Sequence, residues 1–344
     1  MADTTGTALI LAGAVAKGAF EAGALEVLSG HLSEGSKVSS GGHIRSVMGT
    51  SAGALNAALY AAGIRGGKET LAAARMVDLW EEHGQASEAF KLSPRGIVAG
   101  KGLATADRVH EILMNAMREL GPGAEAARPV DLRLVVAPLG GTLDPDSQAT
   151  TFELPLHFEG AAFDTEEGRR SVCDAAVASA AFPIAYVPKD LAAGPCIDGG
   201  IVNNTPVKHA IAGAGSAGIS RLIVIVPHPP VYQGSPGSFS DYIGHLLTIV
   251  VQERLYRDLR FAARVNQRLK TLAGLVDKGV LTEGQAEEVR RALGWQPLDI
   301  VTIRPEEPLP GNAFEAFWDK DLRREYVRMG REAATKALPK LTAG

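Results

Sequence analysis

Residues 46–60 read SVMGTSAGALNAALY, an apolar run that enters a Gly-Thr-Ser-Ala-Gly pentad and an Ala-rich helical pattern that leaves it. G-x-S-x-G between a strand and a helix presents a serine nucleophile. A tight turn lifts the Ser51 oxygen clear of the sheet. Gly49 and Gly53 remove side chains that would clash where strand and helix close on it, and the helix N-terminus favours developing negative charge. The bland alternative is a serine capping a helix after a glycine turn. A serine nucleophile also needs a base and an oxyanion site. The stretch LILAGAVAKGAFEAG (9–23) reads as strand, glycine loop and helix. As a dinucleotide fingerprint it fails at Val15, where a side chain would block a pyrophosphate. As an oxyanion loop it needs only main-chain amides at a helix start. Lys17 is then either a charge fixing that loop or a solvated side chain on the first helical turn. In GPCIDGGIVNNTPV (194–207), Asp198 is either the base or part of an Asp-Gly-Gly turn. Thr205 and Pro206 are suited to start a helix as cap and first residue.

Other candidates carry less. His209 and His228 follow Asp198 and could formally complete a triad, but read as surface or helix-cap residues. Asp144 and Asp146 in LDPDS read as a solvated turn, because a hard cation needs more oxygen ligands. Cys173 and Cys196 form no C-x-x-C, and no His/Cys cluster has zinc-like spacing. The net charge of −4 argues against nucleic acid as a partner. MADTTGT has no basic region, and Lys17 and Glu21 interrupt the apolar stretch behind it. No signal peptide or spanning helix is read, and the cytoplasm is the default location.

These residues need a scaffold. Short apolar runs at 7–12, 43–48, 133–138, 149–154, 221–226 and 299–303 read as strands. Helical patterns cover 18–30, 52–62, 68–83, 105–119, 166–180, 240–270 and 319–337. Their alternation predicts an α/β fold, a three-layer α/β/α sandwich on a central, mostly parallel sheet. One domain is expected over 1–344, with its core at about 7–230 and a C-terminal helical region holding a late strand at about 240–340. Residues 84–104 read as a mobile surface loop or lid. Along 245–270, Val251, Leu255, Leu259, Ala262, Val265 and Leu269 make one apolar face. Arg254, Arg257, Arg260, Arg264 and Arg268 make an opposite stripe, read as a solvated face paired to residues such as Glu253 rather than a lipid headgroup site. Trp295, Phe314, Phe317 and Trp318 either pack on the core or fringe an acyl-binding mouth. Only two strands precede Ser51, too few for an α/β-hydrolase with a Ser-Asp-His triad.

In order, the chain has a glycine loop ending in Lys17-Gly18, then GTSAG, AVASAAFPIAYVPK (176–189) and DGGIVNNTPV. This resembles the patatin-like phospholipase family, densely over 7–63 and 172–210. The resemblance implies a Ser51–Asp198 dyad with no histidine and an oxyanion hole from the amides of Gly13, Ala14 and Val15. Lys17 and Gly18 would close the loop motif. It also implies hydrolysis of phospholipid or neutral-lipid acyl esters without cofactor or metal. A lipid or acyl-ester substrate is the implied partner; peripheral membrane contact and oligomeric state stay open. The family pattern has three glycines where this chain has Gly13-Ala14-Val15. Ala14 and β-branched Val15 are expected to donate their amides from ordinary backbone regions. The alternative is a weakly active or non-catalytic binding or regulatory protein of the same fold.

Overall fold

The computed structural model describes residues 6–32, 43–98, 102–121, 127–141, 152–229, 239–312 and 314–342. Eight strands form the main sheet: β1 (Gly6–Leu11), β2 (Ile44–Thr50), β3 (Asp131–Pro138), β4 (Leu154–Glu159), β5 (Lys189–Leu191), β6 (Gly194–Asp198), β7 (Ile219–Ile225) and β8 (Asp299–Ile303). Their order is β8-β7-β1-β2-β3-β6-β5, with β4 also paired to β3. Pairing is parallel from β8 through β3 and antiparallel beyond it.

The longer helices are α1 (Gly18–Leu32), α2 (Ala52–Arg65), α3 (Glu69–His83), α4 (Asp107–Leu120), α5 (Glu166–Ser179), α6 (Val207–Ala217), α7 (Phe239–Asp277), α8 (Glu283–Leu293) and α9 (Lys320–Thr342). The central strands are apolar throughout because both faces are covered. Leu9 and Leu11 of β1 pack with the cluster holding Phe20, Tyr60, Met76 and Val327 from the helices on one face. Their neighbours Ala8 and Ile10 pack with Val207, Ala210 and Leu255 on the other. The two-residue period of a strand thus makes the middle of three layers. This is the α/β/α sandwich expected from the alternation of elements.

Several elements depart from expectation. The strand placed at 149–154 begins at Leu154, and 149–151 lie outside the described residues. The hairpin of β5 and β6 was not legible, because its strands are short and Pro195 interrupts the apolar pattern. Helix α8, begun by a capping box between Thr282 and Gln285, was also missed. Of the stretch 84–104, residues 99–101 lie outside the described residues, and the remainder is more regular than a loop. It holds a helical turn at Ala86–Ala89, another at Pro94–Val98, and a small ribbon pairing Lys91–Leu92 with Ala104–Thr105. Helix α7 buries Leu255, Ala262, Val265 and Leu269, as its periodicity requires. In its basic stripe Arg260 pairs with Glu253 at 2.9 Å, Arg254 with Glu153 at 2.7 Å, and Arg268 lies 5.2 Å over the Trp295 ring.

Candidate active site

Ser51 occupies the turn from β2 into α2 with φ 56° and ψ −128°. A non-glycine residue there is strained by about 1–3 kcal/mol. The strain is held by close packing of backbone. A Cβ on Gly49 would lie 2.3 Å from the Gly53 carbonyl oxygen, and one on Gly53 would lie 2.5 Å from that of Leu11. The elbow helix is thereby set hard against the end of β1. The Ser51 amide donates to Ser179 Oγ at 2.9 Å, and Ser179 Oγ donates to the Val135 carbonyl at 2.5 Å. Ser179, at the end of α5, therefore ties the elbow to β3.

Ser51 Oγ donates to Asp198 Oδ2 at 2.7 Å, and both residues are buried. Asp198 ends β6. Its Oδ1 accepts the Gly200 amide at 2.6 Å, and its own amide donates to the Ala181 carbonyl at 3.0 Å. Desolvation raises its carboxyl to about 6, against the pull of the Ser51 and Gly200 bonds. A carboxylate with that affinity accepts a proton far more readily than an exposed aspartate.

No histidine is bonded to Asp198 among the described residues. His209 Nε2 lies 2.6 Å from Glu153 Oε1. Glu153 also accepts from Asn203 and Lys208. Burial opposes these bonds, but they prevail and hold the carboxyl down at about 2. His228 is not the surface residue expected from its position: it lies against the glycine loop. Desolvation and Lys17 hold it down to about 4, opposed by a bond to the Gly13 backbone.

The loop from β1 to α1 corrects three expectations. First, the Gly13 amide is engaged: it donates to the Asn204 carbonyl at 2.9 Å, while Asn204 Nδ2 donates to the Gly13 carbonyl at 2.7 Å. A Cβ on Gly13 would meet Asn204 Oδ1 at 2.0 Å, so only glycine fits this clasp. The amides of Ala14 and Val15 have no hydrogen-bond partner among the described residues. Second, Val15 stands at φ 52°, in the left-handed region that β-branched residues avoid. Third, of the two readings of Lys17, the freely solvated one fails, since the side chain is only partly exposed. Its Nζ donates to the Leu309 carbonyl at 3.4 Å, and burial lowers it to about 8 although Glu315 opposes this. Gly18 opens α1, and a Cβ there would strike the Trp80 ring at 2.5 Å. Thr205 precedes α6 as expected, but its hydroxyl makes no capping bond.

A mainly apolar cleft runs from Ser51 and Asp198. Val15, Leu55, Leu59, Met76, Phe182 and Tyr186 line it, as do Phe314 and Phe317, which answers where those C-terminal aromatics go. Phe90, from the stretch expected as a lid, stacks on Tyr186 at 5.1 Å and meets Phe317 edge-on at 5.0 Å. Trp318 is instead exposed. Among the described residues the three non-glycine positions with positive φ are Val15, Ser51 and Ile184. The first two line this cleft, and Ile184 adjoins Ala185 of its wall.

Asp144 and Asp146 lie outside the described residues. No group of three or more His, Cys, Asp or Glu side chains suited to a metal ion occurs among the described residues. No helix among them is long and apolar enough to cross a membrane.

The patatin-like phospholipase family model matches residues 9–211, a span that contains the glycine loop, the elbow and Asp198. The chain belongs to the patatin-like phospholipase family. Among solved structures it is similar to VipD from Legionella pneumophila, at 14% identity and a TM-score of 0.43, over 98% of this chain and 67% of VipD. Comparison with curated proteins finds no match. Ser179 and Asn204, which tie down the elbow and the glycine loop, are among the residues that motif reading did not assign a role. Ser179 was visible inside AVASAAFPIAYVPK and Asn204 inside DGGIVNNTPV, but their partners are far away in sequence.

Proposed function

We propose that the protein is a serine acyl-ester hydrolase of lipids that works through a Ser51–Asp198 dyad and an acyl-enzyme. The observation that carries this reading is the 2.7 Å bond from Ser51 Oγ to the buried Asp198 carboxyl at an apolar cleft. Asp198 takes the hydroxyl proton as Ser51 Oγ attacks the ester carbonyl. The resulting oxyanion is held by the Ala14 and Val15 amides, donors with no other partner. Collapse of the tetrahedral intermediate expels the alkoxide, which recovers the proton from Asp198 and leaves as the alcohol. Water then enters, gives its proton to Asp198 and attacks the acyl-serine. Collapse releases the carboxylic acid and returns the proton to Ser51.

The cleft supports a long, apolar acyl chain as the substrate group. Among its polar wall residues beyond the dyad, Asn56 is committed (Nδ2 donates to Gly18 and Glu21, and Oδ1 accepts from Trp80) and the Tyr186 hydroxyl donates to the Ala89 carbonyl, which leaves chiefly His83 at one edge. Little is left to satisfy a polar acyl group, which would pay its desolvation cost unrewarded. A second reading, a binding protein of the same fold, is favoured by one observation, the loss of the Gly13 amide to Asn204.

The test is a fluorophosphonate probe with a panel of p-nitrophenyl esters and phospholipids, on wild type beside Ser51→Ala. Labelling at Ser51 with turnover that rises with acyl length supports the hydrolase. A folded wild type that neither labels nor turns over any ester moves the assignment to the binding protein.

A further inference from the structure

Glu21 lies in the first turn of α1 with no exposure to solvent. Its Oε2 accepts from Asn56 Nδ2 at 2.9 Å, and the same nitrogen donates to the Gly18 carbonyl at 3.0 Å. Asn56 Oδ1 in turn accepts the Trp80 indole N–H at 2.8 Å. Glu21 Oε1 has no partner among the described residues. Burial lifts this carboxyl well above its usual range, against the pull of Asn56 and of the Ala12 backbone. Burying such a group is costly, and the dyad does not use it.

Its position gives it a use. The three side chains come from α1, α2 and α3 and converge beneath residues 12–18. Of the loop's two ends, the carboxyl reaches the later one: through Asn56 it is tied to the Gly18 carbonyl. The Trp80 ring fills the space that a Gly18 Cβ would need. Between the two ends stands Val15 at φ 52°. A strained turn persists only where its surroundings over-determine it.

We propose that Glu21 is a positioning residue, which through Asn56 clamps the Gly18 end of the 12–18 loop, keeps Val15 in its left-handed turn and holds the Ala14 and Val15 amides ready for the oxyanion. The catalytic part rests on the hydrolase reading; the clamp itself does not.

The experiment compares wild type, Glu21→Gln, Glu21→Leu and the milder Trp80→Phe as full chains. Glutamine keeps a carbonyl oxygen for Asn56; leucine keeps the volume and removes the acceptor. Amide hydrogen exchange read by mass spectrometry should quicken about tenfold or more over 13–18 in Glu21→Leu, with the sheet peptides unchanged. Trp80→Phe should show a smaller rise in the same segment, and Glu21→Gln should match wild type. In the turnover arm, Glu21→Leu should lose about tenfold or more in kcat for a p-nitrophenyl ester with little change in KM, and Glu21→Gln should stay near wild type. Unchanged exchange over 13–18, or a rise spread evenly over the chain, would overturn the clamp. So would a Glu21→Gln variant as damaged as Glu21→Leu. Should Glu21→Leu not fold, the Trp80→Phe and Glu21→Gln exchange patterns decide alone. A wild type without turnover removes the hydrolase reading and the catalytic part, while the exchange arm still decides whether Glu21 holds the loop.

Discussion

Replacing Asp198 with asparagine should separate activity from stability, and in opposite directions. The folded carboxyl sits at about 6 where its ordinary value is 3.8, because burial penalises the charge. Between those values the folded protein keeps a proton that the unfolded chain releases. Stability from this group is therefore fully present below about 3.8 and is lost as pH rises through about 6. A shift of about two units at 1.36 kcal/mol each makes the whole effect about 3 kcal/mol, of which about 2–3 kcal/mol falls between about pH 4 and about pH 7. Asparagine carries no proton, so the wild-type-minus-Asp198→Asn difference isolates this group and cancels the pH dependence of others such as Glu21. Urea unfolding of both proteins across that range is the assay. The difference should tilt against wild type as pH rises, while wild-type ester kcat/KM climbs over a limb centred near 6. Asp198→Asn should have almost no turnover. A difference in unfolding free energy that stays flat with pH, or an activity limb near the value of an exposed aspartate, would refute the argument that a desolvated Asp198 is the base.

Other outcomes follow from the same geometry. Ser51→Ala should abolish fluorophosphonate labelling and ester turnover, whereas His209→Ala and His228→Ala should keep most of the activity, measured as kcat/KM. At Val15 the usual ranking should invert: Val15→Gly should be more stable than Val15→Ala by about 1 kcal/mol in denaturant unfolding, because only glycine is at ease at a φ of 52°. Gly53→Ala should fail to give labelled, folded protein, since its Cβ would fall 2.5 Å from the Leu11 carbonyl oxygen, which has no flexible end to yield; circular dichroism and labelling of the purified protein check this.

The local parts of this protein could be read from residue order. Strand periodicity and the position of Ser51 after only two strands pointed to the sandwich, and GTSAG requires only a turn whose neighbours are adjacent in the chain. Asp198 could be named from its motif, but its 2.7 Å bond to Ser51 spans 147 residues and exists only because β6 lies beside β3 and β3 beside β2. The glycine loop between β1 and α1 was the least legible. Valine disfavours a positive φ, so its own preference pointed away from the turn it adopts; tertiary contacts overrode it. The Gly13 amide was lost to Asn204, a partner 191 residues away. Glu21 read only as a charge interrupting an apolar stretch, yet it is sealed under the loop with Asn56 and Trp80. Side-chain chemistry and short-range spacing are properties of the sequence. Which polar groups lose water, and which amides are left free, depends on packing between segments distant in the chain, and that was decided by the tertiary structure.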